Sequence, residues 1–489
     1  MEKFYITTAI PYPNGQPHVG FALEIIQADV LARYHRQLGH DVFFVTGVDE
    51  HGLKVYRSAQ KEGVDFQTYV DRNSEEFREL KEVLNISYDD FIRTTDQKRH
   101  WPGAQKLWLE NIEDIFEKEY SGLYCVGCEA FITEKELING KCLEHGIAPE
   151  LIKEKNYFFR LSKYKDEIKK LIESDVLKII PVSRKNELLN ILKNSEDFSI
   201  SRPKEKLSWG VPVPNDSEQV QYVWYDALVN YATAIGYGRD EELFKKWWPA
   251  DVHLIGKGIL RFHAIYWVAM LLAAKLPVPK SILVHGYVSI EGEKISKSIG
   301  NVISPKTVVE KYGTDALRYF LIREIPTSED GDFSEAKLVD RYNGDLANNL
   351  GNLVSRVAKL VETKCGGVLN REEKCLNPVV IEKINCATSD VAQLINDFRL
   401  HEALAEIFAL FSFANEYINN RAPWAQEDPA HINETLINLG ELLICGNQLL
   451  WPFLPQTSEK IASVLGQEGV SNHWSKITIV SSTPLFPRI

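Results

Sequence analysis

The chain has 489 residues, 44% of them hydrophobic and 25% charged, with a formal net charge of −12. That length is too great for one hydrophobic core, so several domains are expected, and the composition is that of an ordinary globular protein. The acidic balance excludes a generic nucleic-acid binder, whose affinity comes from many lysine and arginine contacts to phosphate, so any RNA partner must be met by local patches and shape.

The chain opens without the basic-then-apolar plan of a secretory signal. Residues 4–10 form an apolar run that predicts a strand. Helical spacing of Leu23, Ile26, Val30 and Leu31 follows from about Gly20, and 41–46 is again rich in Val and Phe. Strand, helix, strand predicts a βαβ unit and hence a doubly wound, parallel, Rossmann-like α/β sheet. Ligands of such sheets sit at the carboxyl ends of strands, where Ala9-Ile10-Pro11-Tyr12 and Gly47-Val48-Asp49-Glu50 fall. A cysteine-bearing insert begins near Tyr120, and sheet-like material returns at 220–225 and 252–255. The longest apolar stretch, 264–274, is too short to span a bilayer and reads as a buried helix. From about Asp345 the pattern is helical. Leu400, Leu404, Ile407, Phe411, Ala414 and Ile418 share one helix face, predicting an all-α bundle of four or five helices. There is no internal repeat.

Two loops carry phosphate chemistry. Pro17-His18-Val19-Gly20 lies between the first strand and the first helix. A helix starting there would offer unpaired N–H groups and a positive dipole end to an anion, with Gly20 allowing close approach and His18 a ring hydrogen for phosphate oxygens. Far downstream, Lys294-Ile295-Ser296-Lys297-Ser298 follows the pliable Gly292. Taken singly, each also fits a bland description: a histidine ahead of a surface helix, a basic turn in solvent.

Cys125-Val-Gly-Cys128 and Cys142-Leu-Glu-His145 form a CxxC…CxxH quartet. Two closely spaced ligand pairs can fold around tetrahedral zinc with all four positions filled, which predicts one structural Zn²⁺. The other cysteines, Cys365, Cys375, Cys386 and Cys445, show no pairing and are expected to be buried or inert. Seven cysteines, four of them scattered singly, argue against a disulfide framework and for a reducing cytoplasm.

In order and separation, the His18 and Lys294–Lys297 signals resemble the paired signatures of class I aminoacyl-tRNA synthetases. Ala9-Ile10-Pro11-Tyr12-Pro13-Asn14-Gly15, Tyr222-Val223-Trp224-Tyr225-Asp226-Ala227 and Ile255-Gly256-Lys257-Gly258-Ile259-Leu260-Arg261-Phe262-His263 resemble the methionyl-tRNA synthetases, over essentially the whole chain. The resemblance implies catalytic roles for His18, Lys294 and Lys297, and ATP binding by His18, Gly20, Glu24, Lys294, Ser296, Lys297 and Ser298, with Mg²⁺ accompanying ATP. It also implies a methionine pocket of Ala9, Ile10, Tyr12, Phe198, Trp224, Ala227, Leu228, Tyr231, Ile259, Phe262 and His263, with Asp49 on the α-ammonium group. Aromatic and aliphatic walls suit a thioether, although Trp224 and Tyr231 fit plain core aromatics equally well, and Asp49 a helix cap.

The family's single-knuckle subgroup carries such a metal quartet in its connective insert. Its C-terminal bundle reads an anticodon, which here would fall to Asn352, Arg356, Pro423 and Trp424. Those residue types suit stacking on, and hydrogen bonding to, unpaired bases, yet Trp424 could equally plug the bundle and Asn352 cap a helix. The implied domains are a catalytic half (1–113), a connective insert (114–220), the second catalytic half (221–283), a KISKS and stem-contact region (284–344) and the bundle (345–489).

The expected partners are ATP, L-methionine and tRNA(Met), with no membrane, in a cytoplasmic monomer. Two departures stand out. Phe21 replaces a second histidine common in the family, removing one donor worth roughly 3 kcal/mol, and Gly258 replaces an acidic residue. No long editing insert is present, which counts against isoleucine, valine and leucine as substrates. The competing readings are a small-molecule nucleotidyltransferase of the HxGH type, which leaves the quartet and bundle unexplained, and a non-catalytic tRNA-binding paralogue.

Overall fold

The computed structural model describes residues 2–134, 137–143, 145–295, 300–480 and 484–489. The expected parallel sheet is present and has six strands: β1 (Lys3–Thr8), β2 (Asp41–Val48), β3 (Asp90–Arg93), β4 (Lys178–Ile180), β5 (Val252–Gly256) and β6 (Ser281–His285). They run side by side in the order β3-β2-β1-β5-β6-β4, with every neighbouring pair parallel. The order reverses between β1 and β5, where Ile6 pairs with Val252 and Thr8 with Leu254. At such a switch point the flanking connections leave in opposite directions and open a crevice at the strands' carboxyl ends. Ala9, Asp49 and Lys257 each directly follow one of the three strands at that edge, β1, β2 and β5.

The chain forms two compact units that alternate along the sequence. The first comprises Met1–Pro17, His35–Lys81 and Ser87–His285, and the second His18–Tyr34, Glu82–Ile86 and Gly286–Ile489. Helix α1 (Val19–Gln37) therefore belongs mostly to the second unit. Its buried residues include the charged Asp29 and Arg33, which have to be paired. Asp29 Oδ2 lies 2.8 Å from both Arg33 Nε and Arg318 Nη2, and Arg318 spends its other donors on the Phe453, Pro452 and Leu84 carbonyls.

In the first unit, the insert is a long antiparallel hairpin of Ile115–Cys125 against Glu150–Phe159, in register from Ile115↔Phe159 to Tyr124↔Glu150. Residues 220–225, expected to be sheet-like, instead run from the end of the strand Asp216–Gln221 into a helical turn, Val223–Ala227. A short aromatic run has no periodicity that separates strand from helix, and here the turn is pinned by side-chain bonds to the insert. The apolar run from 264 is helical and buried, as expected, after a wider π-type turn at Phe262–Tyr266.

The C-terminal region is helical: α2 (Asn352–Cys365), α3 (Pro378–Asn396), α4 (Leu400–Arg421), α5 (Pro429–Leu450) and α6 (Pro455–Val464). The six α4 residues predicted to share a face are all fully buried. A small antiparallel pair, Val368–Asn370 with Lys476–Thr478, was not foreseen. Of the four scattered cysteines, expected to be buried or inert, Cys365, Cys375 and Cys445 are half-buried and Cys386 is exposed. Among the described residues no helix is long and apolar enough to cross a membrane.

Candidate active site

The residues expected to meet phosphate lie within the second unit. The Gly20 amide donates to His18 Nδ1 at 3.1 Å, which leaves the neutral ring's hydrogen on Nε2, the atom able to serve an acceptor oxygen. The ring folds over the first turn of α1 because position 20 has no side chain: a Cβ there would meet His18 Cε1 and Nδ1 at 3.0 Å. The same hypothetical Cβ lies 3.8 Å from Ile295, so the downstream loop comes back against the start of α1. Val19 N–H donates to the Ile303 carbonyl at 3.1 Å, and Asn301 Nδ2 to the Lys294 carbonyl at 3.1 Å, closing the loop on itself. Lys294 is exposed at the end of the strand Glu293–Lys294. Ser296, Lys297 and Ser298 lie outside the described residues. Glu24 is buried on α1, and Phe21 sits half-buried in its first turn.

The residues proposed for an amino acid gather in the first unit, around the carboxyl edge of the sheet. Trp224 stacks on Phe262 with ring centroids 3.9 Å apart and an interplanar angle of 4°, and His263 packs edge-on at 6.3 Å. His263 Nδ1 lies 3.0 Å from the Ile259 carbonyl, which can only accept, so Nδ1 carries the hydrogen and Nε2 accepts from the Tyr231 hydroxyl at 2.7 Å. Burial pushes this imidazole down to about 4, so it stays neutral near pH 7. Phe198 stacks on Tyr266 at 3.8 Å, a residue the sequence reading missed. Ala9, Ile10, Trp224 and Ile259 are partly buried against the cluster that contains Leu228, Tyr231 and Phe262, and Ala227 is buried in the same turn as Trp224. Tyr231 is thus a core aromatic by burial, whereas Trp224 keeps part of its surface open.

Asp49 is 2% exposed and caps no helix: the next helix, Leu53–Glu62, is preceded by Gly52, and Asp49 Oδ1 accepts from His51 N–H at 3.2 Å. Its own N–H donates to the Pro11 carbonyl at 3.0 Å, tying the end of β2 to the Ala9–Tyr12 run. Burial pushes the Asp49 carboxyl well above the ordinary range, with the charge of Asp226 next in weight. The Tyr12 hydroxyl is raised by burial and then by the charge of Asp49.

The quartet converges. One donor atom each from Cys125, Cys128, Cys142 and His145 lie within 4.8 Å of one another. Cys128 Sγ is 3.5 Å from Cys142 Sγ and 3.2 Å from His145 Nδ1. Two thiolates bound to one zinc at ~2.3 Å in a tetrahedron lie about 3.8 Å apart, so the donors fit a single tetrahedral cation. Gly127 makes room for it, because a Cβ there would fall 2.5 Å from the His145 ring. Burial, and then the neighbouring Cys125, push the Cys128 thiol up. The next residue, Glu129, is buried at a φ of 50°. Its carboxylate accepts from the Lys54 amide and the Tyr124 hydroxyl, its carbonyl from the Tyr222 hydroxyl, and Trp224 Nε1 donates to the Cys128 carbonyl at 3.3 Å.

On the bundle, Asn352 and Arg356 lie one turn apart on α2. Arg356 Nη2 donates to Asn419 Oδ1 at 2.7 Å, and its guanidinium sits 5.2 Å over the Trp424 ring. Trp424 is 49% exposed, in a short turn (Pro423–Ala425), so it does not plug the bundle. Asn352 is exposed and makes no capping bond, since the preceding π-type turn runs straight into α2. Asn419 was not singled out from the sequence, having no motif around it.

Comparison with known proteins gives the family. Residues 4–144 and 132–358 match the family described as tRNA synthetases class I (M), and 366–483 match the anticodon binding domain of methionyl tRNA ligase. A methionine–tRNA ligase of Brucella suis biovar 1 is 41% identical over 507 aligned positions, covering 100% of this chain and 98% of that protein, and one of Thermotoga maritima is 42% identical, covering 100% and 80%. Mycobacterium tuberculosis methionyl-tRNA synthetase in complex with methionyl-adenylate superposes with a TM-score of 0.94 at 37% identity, covering all of both chains. The apo form of that enzyme gives 0.87 at 34% identity, covering 100% of this chain and 98% of that one. With both parts of the family's architecture matched along its length, the chain belongs to the methionyl-tRNA synthetases of class I.

Proposed function

We propose that the two sites divide the labour of one ATP-driven ligation. The chain is a methionine–tRNA ligase, which makes methionyl-AMP and pyrophosphate from methionine and ATP and then charges tRNA. In the first step a methionine carboxylate oxygen attacks the α-phosphorus and pyrophosphate leaves. In the second, a hydroxyl of the 3′-terminal adenosine attacks the methionyl carbonyl and AMP leaves. Neither step obliges the protein to supply a general base, so its work is alignment and charge stabilisation.

His18, the α1 N-terminus and the Lys294–Ser298 loop meet the phosphates, with Gly20 and Glu24 beside them and Mg²⁺ arriving with ATP. Asp49 takes the α-ammonium group. Ala9, Ile10, Tyr12, Phe198, Trp224, Ala227, Leu228, Tyr231, Ile259, Phe262 and His263 enclose the thioether side chain. The observation that carries the nucleotide half is the approach of Ile295 to Gly20, which joins signatures 275 positions apart in sequence. Methionine-dependent ATP–pyrophosphate exchange tests the reading. Exchange with no amino acid, alongside intact tRNA binding, would instead identify a non-catalytic paralogue, and nucleotidyl transfer independent of methionine would identify the other enzyme class.

Asn352, Arg356, Pro423 and Trp424 meet the anticodon of tRNA(Met). Trp424→Ala is expected to raise the KM for tRNA in charging by about tenfold or more, the ~1–3 kcal/mol of one base stack, with methionine activation unchanged. Equal charging by both proteins would remove Trp424 from the interface.

The quartet holds zinc with four protein ligands, which leaves no position for a reacting water and makes its role structural. Metal analysis should find about one zinc per chain and, for Cys142→Ala, well under half of that. A purified chain with little zinc would defeat the assignment.

A further inference from the structure

Behind the wall of the amino-acid pocket lies a buried carboxylate to which the reaction assigns no role. Asp226 is fully buried, with Oδ2 accepting from His51 Nδ1 at 2.5 Å and Oδ1 from His100 Nε2 at 2.6 Å. Both imidazoles are also almost wholly buried, and His100 Nδ1 meets Thr233 Oγ1 at 2.9 Å. Three separate stretches therefore converge on one carboxylate. His51 stands two residues past Asp49, and its backbone N–H is the donor to Asp49 Oδ1. Asp226 shares the Val223–Ala227 turn with Trp224, and Thr233 stands two residues past Tyr231.

Burial by itself drives a carboxyl toward its neutral form, but here the two histidines outweigh it and hold Asp226 below the usual range. The neighbouring Asp49 goes the other way. Two carboxyl groups pushed apart in this manner take different roles, one a fixed charge and the other responsive to its ligand.

We propose that Asp226, clamped between His51 and His100, is a positioning residue for methionine: it fastens the segment bearing Asp49 to the segment bearing Trp224 and Tyr231, and sets a second negative charge behind the ammonium site. This rests on the assignment of Asp49 and Trp224 to methionine. An asparagine at 226 keeps the size of the side chain but removes the charge, and it must turn an amide N–H₂ toward one of the two imidazole donors. The two segments then lose their common anchor.

The test is ATP–pyrophosphate exchange by the full chain and by Asp226→Asn, varying methionine and ATP separately. The variant's KM for methionine is expected to rise about 10- to 100-fold, the scale on which a misplacement of ~1 Å weakens alignment, with the KM for ATP within about twofold. A second readout separates charge from mere packing. Asp49 is faced by Asp226, Glu129, Glu50, His51 and Tyr12, so removing the charge at 226 moves the acid limb of kcat/KM for methionine to lower pH.

His100→Leu, which deletes one of the two donors, should raise the KM for methionine several-fold, and His100→Gln, which restores an N–H donor, should recover most of it. A folded Asp226→Asn with unchanged KM for methionine overturns the proposal. If that variant does not fold, an unchanged KM in His100→Leu does so. Asp49→Asn keeps the two questions apart. No effect there removes the pocket assignment itself, whereas an effect there with none at 226 or 100 removes only this inference.

Discussion

Replacing Asp49 by asparagine is expected to raise the KM for methionine at least ~100-fold while the KM for ATP stays within about twofold, because removing one partner of a buried charge pair costs about 3–5 kcal/mol. Asp49 is 2% exposed at the carboxyl end of β2, with one backbone N–H donor at 3.2 Å. The charges that weigh most on it are themselves acidic: Asp226, Glu129 and Glu50. An ionised carboxylate so placed is costly until a cation arrives, and an amino acid brings one in its α-ammonium group. The same placement fixes the sign of the stability effect. The folded-state pKa of Asp49 lies above that of the unfolded chain, so its ionised form opposes folding at neutral pH, and this cost is relieved as pH falls through the raised value. Asp49→Asn should therefore melt at a higher temperature than the unaltered protein near pH 7.5, with the gap narrowing on acidification. A variant that binds methionine normally and gains no thermal stability would show that Asp49 has another task.

His18→Ala is expected to lower kcat for methionyl-AMP formation by about 10²- to 10³-fold with little change in either KM, the loss typical of one donor aimed at developing charge. His18 commits Nδ1 to the Gly20 amide, so its remaining ring hydrogen is on Nε2, at the start of a 19-residue helix whose positive dipole end favours an anion. That donor matters most when the α-phosphorus carries extra negative charge, which is why the effect falls on kcat. His18→Asn, which keeps an N–H, should recover part of the loss. With Phe21 in place of a second histidine, this chain has fewer side-chain donors at the helix start than the family pattern supplies, so its dependence on His18 should be steep. Steady-state exchange measures this directly, and an alanine variant with unchanged kcat would place His18 outside the reaction.

Much of the architecture was legible before any coordinates. The apolar run of residues 4–10, the Val- and Phe-rich 41–46 and the helical spacing on α1 and α4 are each local patterns, and the structure has a strand or a helix at each. The CxxC and CxxH pairs were legible for the same reason, since each pair is local and only one turn of chain had to bring them together. The aromatic run at 220–225 misled because it is short and lacks a period. Its helical turn is set by bonds from Tyr222 and Trp224 to the carbonyls of Glu129 and Cys128, nearly a hundred residues away. The exposure of Cys386 was missed because a lone cysteine carries no pattern that reports its side of a helix.

By itself the sequence determined the βαβ core, the helical C-terminal region, the metal-ligand quartet and the two phosphate signatures, because each is written in neighbours that share a face or a turn. Only the tertiary structure decided that β1 and β5 lie side by side at the switch point, that Ile295 returns to Gly20, and that His51, His100 and Asp226 meet. It also decided which carboxyl is held ionised and which is pushed toward its neutral form. Such outcomes depend on burial and on charges brought in from 126 and 175 positions away, and no local spacing encodes the dielectric around a side chain or the donors that reach it.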